Sequence, residues 1–442
     1  MVLPGLGGGV WQRQSAPLTL LRLDDTVPPT APDTAPPGTL TNLPRKAPIV
    51  TNRVYGLTFL LLLALATLAQ AQTFTSLYNF CSASGCSDGG LPYAGVIQDS
   101  AGNLYGTTGY YGLSSSNGGV VFKLDTAGKE TVLYSFCLNW PTCTDGSRPY
   151  ATVVRDKAGN IYGTTVAGGS TNCQGGCGVV FKIDTDGKEK VLYHFSGGSD
   201  GCYPEQGLIL KSGTLYGTAN GCGPSGYGTI FKIASSGKGY SVLHGFAGLP
   251  SDGALPAFGH LTMDSSGNLY GVTDNGGSDN KGALYELSKS GKLTLLHSFV
   301  GGTDGCVPYG TVVRDIAGNL YGTTFGFDCN SQGTIWKVSK NGTETILHQF
   351  AGGTSDGCNP YAGVARDSKG NLYGVAYGCG ANNWGAVYKL SAKGRLTLLH
   401  SLDASDGLHP YGEVLRTAKG TLFATTSGGG ADNGGTVWSY EP

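Results

Sequence analysis

Three ionisable side chains stand out because they break an otherwise regular internal pattern: Glu205, His260 and Glu413. Glu205 follows Pro204 at a place where six related segments carry an aromatic residue. His260 and Glu413 replace small residues such as Gly95, Thr152, Thr311 and Gly363. A carboxylate and an imidazole without copies elsewhere are what an asymmetric catalytic centre needs. Glu205 and His260 lie in consecutive segments. They would form a general acid–base pair if their side chains approached to about 3 Å, directly or through one water. The competing interpretation is a drifted repeat with solvated side chains. No nucleophile elbow, phosphate loop or paired-metal motif accompanies them, so neither a cofactor nor a metal is expected. Asp184-Thr-Asp-Gly begins like a calcium loop but lacks the later ligands.

A second set of groups suits binding. Asp-Gly recurs at Asp88, Asp145, Asp200, Asp252, Asp304, Asp356 and Asp406, and an aromatic residue follows in six segments: Tyr93, Tyr150, Phe258, Tyr309, Tyr361 and Tyr411. Aromatic faces beside carboxylates fit sugars or peptides, which stack and donate hydrogen bonds. The plainer reading is that Asp-Gly builds turns through Asx-type bonding and that the tyrosines pack between neighbouring units. His194, His244, His297, His348 and His400 lie in outer strands and are not site candidates.

The twelve cysteines sort without remainder. Cys81/Cys86, Cys137/Cys143 and Cys173/Cys177 are local pairs. Cys202/Cys222, Cys306/Cys329 and Cys358/Cys379 recur at matching repeat positions. A zinc site is the rival at Cys173-x-x-x-Cys177, but no second pair accompanies it. Six disulfides point to an oxidising compartment, each contributing about 2–3 kcal/mol by chain-entropy arithmetic.

These groups must be positioned by the repeat itself. Gly-Asn-Leu-Tyr-Gly-Thr-Thr and its variants centre on Tyr105, Tyr162, Tyr216, Tyr270, Tyr321, Tyr373 and Phe423, 50 to 57 residues apart. A repeat of that length is one supersecondary unit. In the second unit, Tyr150–Asp156, Asn160–Thr165, Val179–Ile183 and Lys190–Phe195 are short β-rich runs. Asp-x-x-Gly turns close the first and the second pair of strands into hairpins. Seven four-stranded antiparallel units make an all-β fold, a seven-bladed β-propeller. A parallel β-helix would not need two tight hairpins per unit. Thr73–Phe80 matches a fourth strand but precedes the first unit, and the chain ends on a third strand, Val437–Tyr440. The amino-terminal strand is therefore expected to close the last blade and remove two sheet edges. Loops between blades and loops joining strands two and three then share one face, the candidate binding face.

The propeller spans 72–442. Residues 1–54, with the Pro/Thr/Ala-rich Val27–Pro37, are expected to be disordered or non-native. Residues 55–71 form a signal peptide: Arg53, the apolar Leu57–Leu68, then Ala69-Gln70-Ala71, which sets the mature start at Gln72. That run is too short to span a bilayer, so no membrane span remains after its removal. Net charge is −1, and no basic tract appears, which argues against nucleic acid. A secreted or periplasmic monomer follows.

The Gly-Asn-Leu-Tyr-Gly-Thr-Thr copies, the Phe-Lys-Leu-Asp and Val-Leu-Tyr-Ser-Phe strands and the Asp-Gly-x-x-Pro-Tyr joints together resemble the GloVer-repeat proteins, exported bacterial tandem-repeat proteins named in the choice-of-anchor style. The resemblance covers everything after the signal and implies export without a defined biochemical role. More loosely, Asp-x-x-Gly-Asn-Leu-Tyr looks like the hairpins of streptogramin-lyase-like propellers. The expected function is a binding module for a glycan, peptide or protein on the loop-rich face. The alternative is a lyase or hydrolase at the channel mouth.

Overall fold

The computed structural model describes residues 72–442 except 114–117, 257, 327, 328 and 330. The extension 1–54 and the signal peptide 55–71 lie outside the described residues. The described chain forms seven antiparallel β-blades. In blade one the strands run from the axis outward as Ile97–Gln98, Leu104–Thr108, Val120–Leu124 and Glu130–Ser135. Blade seven is ordered Leu415–Arg416, Leu422–Thr426, Thr436–Glu441 and then Thr73–Asn79. The amino-terminal strand thus closes the ring, pairing Thr73 with Glu441 through Asn79 with Thr436.

The repeat motif explains itself in three dimensions. In blade one, Asp99 opens the hairpin, and Gly102 takes φ +92°, which a side chain would resist. The Asn103 amide donates to Asp99 Oδ2 at 2.9 Å, and so does the Tyr105 hydroxyl at 2.9 Å. Gly106 leaves room for the Phe122 ring; a Cβ there would meet the ring at 2.6 Å. Thr107 Oγ1 donates to the Ala151 carbonyl of the next blade at 3.0 Å. Thr164, Thr323 and Thr425 tie to Gln206, Ala362 and Ala94 in the same way, the last across the closure. Apolar residues on both faces of the third strand meet neighbouring blades, with Trp336, Trp438, Phe122 and Phe181 fully buried.

Two blades depart from the four-stranded plan. Blade four adds Gly253–Pro256, which pairs with an extended second strand, Leu269–Gly276. Blade six carries a separate ribbon, Gly357–Cys358 with Gly378–Cys379. Most innermost strands are also shorter than expected. In blade two only Val154–Arg155 joins the ladder, not Tyr150–Asp156. Near the axis, backbone meets backbone from other blades: Gly207 N donates to Gly259 O at 2.8 Å and Gly310 N to Phe258 O at 2.9 Å. Glycine and other small residues recur on these strands because a Cβ on Gly95 would stand 2.6 Å from the Glu413 carbonyl.

All six cysteine pairs form the expected disulfides, each within one repeat or one joining loop. Two of them bring a correction to the plan of strands and tight β-turns alone. Cys86, bonded to Cys81, ends a short 3₁₀ turn, Ser84–Cys86, in which its N–H donates to the Ala83 carbonyl at 2.9 Å. Cys329, bonded to Cys306, also has 3₁₀ conformation, and its N–H donates to the Gly326 carbonyl at 3.2 Å. The physical reason is compactness. A 3₁₀ turn reverses the chain within three residues, which lets each loop double back to its cysteine partner. Cys173 is bonded to Cys177, as the disulfide reading expected. No helix among the described residues is long and apolar enough to cross a membrane.

Candidate functional site: the aromatic mouth

The joining loops are held by a latch that the sequence had suggested only in part. The Asp of every Asp-Gly accepts from the outer strand just before it. Donors are the Tyr78, Tyr134 and Tyr193 hydroxyls, at 2.8, 3.0 and 2.9 Å from Asp88, Asp145 and Asp200. In the other four blades the partner is His244, His297, His348 or His400, at 3.0, 3.0, 3.1 and 2.6 Å from Asp252, Asp304, Asp356 and Asp406. Backbone N–H groups at Ser82, Cys137, Ser196, Ala247, Val300 and Ala351 donate to the same carboxylates. These aspartates are structural, as the turn reading held, but their main partner is a side chain rather than a local Asx turn.

Three glutamates from the next blade press on this latch. Burial, then the Asp88 charge, lifts Glu130 to about 7; burial, then Asp145, does the same to Glu189. Burial and a hydrogen bond to Asp304 take Glu344 to about 9. These folded-state values lie above the unfolded 4.5, so the stability they lend is complete below 4.5 and lost as pH rises through 7 to 9. In the hairpins, burial opposes the charge on Asp99, Asp156, Asp264, Asp315 and Asp367, but Asn, Tyr and backbone donors outweigh it and lower them below 3.8. Their contribution is present above 3.8 and lost as pH falls. The melting temperature, followed by calorimetry across pH, should therefore peak between 3.8 and 4.5 and decline above it, and Glu344→Gln should flatten that decline.

Loops between blades lie beside the loops joining strands two and three, bridged at Gly90–Tyr110, Ser147–Ala167, Cys202–Gly221 and Leu408–Gly428. On this face the aromatic residues form a continuous arc. Ring centroids are 5.1 Å apart for Tyr150–Tyr93, 5.2 Å for Tyr93–Tyr411 and 4.5 Å for Tyr411–Tyr361. The arc continues at 5.1 Å for Tyr361–Tyr309 and 5.7 Å for Tyr309–Phe258. A second row, Tyr110, Phe325 and Tyr377, packs against it; the Tyr150 hydroxyl donates to Tyr110 at 2.8 Å. All six arc residues keep part of their surface exposed. A cavity of about 290 Å³ opens beside the arc, lined by Trp140, Thr142, Ser147 and Arg148 among others, and Trp140 is 69% exposed.

The arc is interrupted in blade three, where Glu205 takes the aromatic place. Burial lifts its carboxyl to about 7. Asp274 faces it electrostatically: burial first, then the Glu205 charge, raises Asp274 well above the usual carboxylate range, and the Tyr309 hydroxyl offsets part of this. The Glu205 charge thus adds to burial in favouring the proton on Asp274. Asp274 occupies the row of Phe325 and Tyr377, here within the extended second strand Leu269–Gly276. It was not singled out from the sequence, although it is the only acid in that row.

His260 does not pair with Glu205. Its Nε2 lies 3.5 Å from Glu413 Oε2, and Nδ1 donates to the Leu261 carbonyl at 3.0 Å. Glu413 Oε1 accepts from Thr311 N at 2.6 Å, and Thr311 Oγ1 accepts from His260 N at 2.8 Å. This network braces blades four, five and seven across the axis. Below it, toward the hairpin face, are cavities of about 310, 420 and 300 Å³, all lined in part by His260. The sequence-derived pair is thus divided between two places: Glu205 lies well before its inner strand, Ile209–Lys211, whereas His260 lies close to the start of its own, Thr262–Met263.

The architecture and the aromatic mouth define a disulfide-bearing repeat propeller. The chain belongs to the family of the Gloeobacter/Verrucomicrobia repeat, which it matches over residues 138–326 and 260–442. No curated protein matches it in sequence. Among solved structures it is similar to the extracellular domain of a protein assigned to the one component systems, BT4673 of B. thetaiotaomicron. That match has 12% identity and a TM-score of 0.52, covering 82% of this chain and 39% of that one. A puromycin-hydrolyzing peptidase of Mycobacterium tuberculosis matches at 12% identity and TM-score 0.48, with 77% of this chain and 50% of that one covered. At 12% identity the first of these likenesses concerns the fold alone.

Proposed function

We propose that the protein is an exported binding module, secreted or periplasmic, that holds an extracellular glycan at the aromatic mouth without transforming it. The observation that carries this reading is the arc of six rings contributed by six blades, each partly exposed on the loop-rich face. Stacked sugars need flat apolar faces with polar groups at their edges, and the arc offers both. Six disulfides accord with an oxidising destination. A peptide would use the same faces and is the second ligand class to test. A glycan array on the protein is the primary experiment. Tyr361→Ala, which opens the middle of the arc, should weaken any glycan found there by about tenfold or more. An array without binders, or binding indifferent to Tyr361, overturns the proposal. Chemical conversion of a bound glycan would replace it with the lyase or hydrolase reading.

A further inference from the structure

We infer that His297, Asp304 and Glu344 form a zinc site among the outer strands of the ring, where one ion clamps blade four to blade five. The inference does not depend on the glycan reading.

The three side chains come from three elements. His297 belongs to the outer strand of blade four, Leu293–Ser298, and Asp304 to the loop joining blades four and five. Glu344 opens the outer strand of blade five, Glu344–Gln349. No local motif announces such a site, and the sequence alone led to no metal being expected. His297 Nε2 lies 3.0 Å from Asp304 Oδ1 and 3.6 Å from Glu344 Oε1. The ligand atoms of all three fall within 4.8 Å of one another. A tetrahedral zinc with arms of about 2.0–2.1 Å sets neighbouring ligand atoms about 3.3 Å apart. The two measured edges bracket that value, so small side-chain adjustments admit the ion.

A second observation points to a ligand. Glu344 Oε1 is shut off from solvent and has no hydrogen-bond partner. Its 3.6 Å approach to His297 is too long for one. Burying such an oxygen is costly unless something pairs with it. Glu344 also hydrogen-bonds Asp304, and two carboxylates in contact repel unless a proton or a cation lies between them. Every ion pair among the described residues uses a histidine, so no Lys or Arg there neutralises either acid. The supporting contacts are in place. Asp304 Oδ2 accepts from Val300 N at 2.6 Å, which leaves Oδ1 to the imidazole, and the His297 ring stands edge-on to Phe299 at 4.8 Å.

Among the described residues this combination occurs once around the ring. Glu130 and Glu189 act on Asp88 and Asp145, whose latch partners are the tyrosines Tyr78 and Tyr134. Burial keeps those phenols protonated, and a protonated phenol is a poor zinc ligand. The other histidine latches lack the glutamate. Leu293 and Leu396 stand at the Glu344 position in the blades after His244 and His348, and Phe74 stacks on His400 at 4.1 Å. The other group of three potential ligands, Cys173, Cys202 and Cys222, is consumed by disulfides. One imidazole with two carboxylates suits zinc, and water reaches the fourth position through the exposed edge. Calcium would need six to eight oxygen ligands.

The test strips the intact protein with a chelator, titrates it with zinc chloride by calorimetry and melts it with and without the metal. One zinc per chain is expected to bind, and a hundredfold excess over Kd should raise Tm by about 3–5 °C. Calcium and magnesium should not. His297→Tyr installs the latch residue of three other blades, and Glu344→Leu the residue found at that position in two. Both variants are therefore expected to fold, and each should abolish the zinc shift. His348→Tyr, at a latch without a glutamate, should leave it intact. Should either site variant fail to fold, X-ray absorption at the zinc edge of the parent protein decides: one imidazole among oxygen ligands at about 2.0–2.2 Å supports the site, and sulfur or a second imidazole overturns it. Absence of stoichiometric zinc binding, a shift that survives both substitutions, a shift lost in His348→Tyr, or equal stabilisation by calcium each overturns the inference and leaves the glycan reading untouched.

Discussion

Removing residues 73–79 should leave the ring open and the protein largely unfolded at 37 °C. Those residues form the outer strand of blade seven, paired with Thr436–Glu441 along its length. The truncation strips Phe74 from the His400 ring, on which it stacks at 4.1 Å, and from Trp438 at 5.3 Å. It also takes the Tyr78 hydroxyl away from Asp88. Deleting a large packed aromatic side chain costs about 3–5 kcal/mol, and the sum over this strand is comparable to the stability of a whole domain. Circular dichroism melting of the truncated chain measures this directly. A synthetic peptide of residues 72–80 added in trans should restore part of the transition. If the truncated chain melts like the intact one, the strand is not what closes the ring.

The second large effect is expected at Asp252, which is 8% exposed. It accepts from His244 Nε2 at 3.0 Å, Ala247 N at 2.9 Å and Gly253 N at 2.8 Å. Asp252→Ala strands all three donors and should cost about 3–5 kcal/mol, the usual range for breaking a buried charged network. His244→Tyr should be tolerated, because tyrosine performs the same task in three other blades. Chemical denaturation of the two variants decides it: an Asp252→Ala protein as stable as the parent would make the latch incidental.

The sequence made the blades legible because tight hairpins closed by Gly, Asp-x-x-Gly in the fullest copies, and one aromatic third strand recur from period to period. Closure was legible for the same reason, since Thr73–Phe80 reads as a displaced copy of Thr131–Phe136. The cysteine pairs followed from spacing, but the 3₁₀ turns at Cys86 and Cys329 did not, because three residues are too few to carry a period. The latch was visible only as two unconnected patterns, Asp-Gly in the loops and Tyr or His in the outer strands. Their contact depends on how the chain turns between blades. His260 and Glu413 were recognised as departures, but their pairing joins blades four and seven across the axis, and no one-dimensional spacing encodes that. Asp274 escaped notice because its row is irregular everywhere: Gly109, Val166, Asn220, Phe325, Tyr377 and Ser427 stand at the other positions, so one more difference carried no signal.

The closing strand has a consequence for how the molecule comes into being. Thr73 waits for Glu441, a partner at the opposite end of the described chain. During synthesis, the uncharged segment Thr73-Phe-Thr-Ser-Leu-Tyr-Asn lacks its partner strand until Thr436–Glu441 arrives. Contacts this distant in sequence form late, and an open edge of that composition invites pairing with other chains. Six blades can mature in order of appearance, but the seventh is completed only when Thr73–Asn79 meets Thr436–Glu441. The interval before that meeting is the molecule's most aggregation-exposed moment.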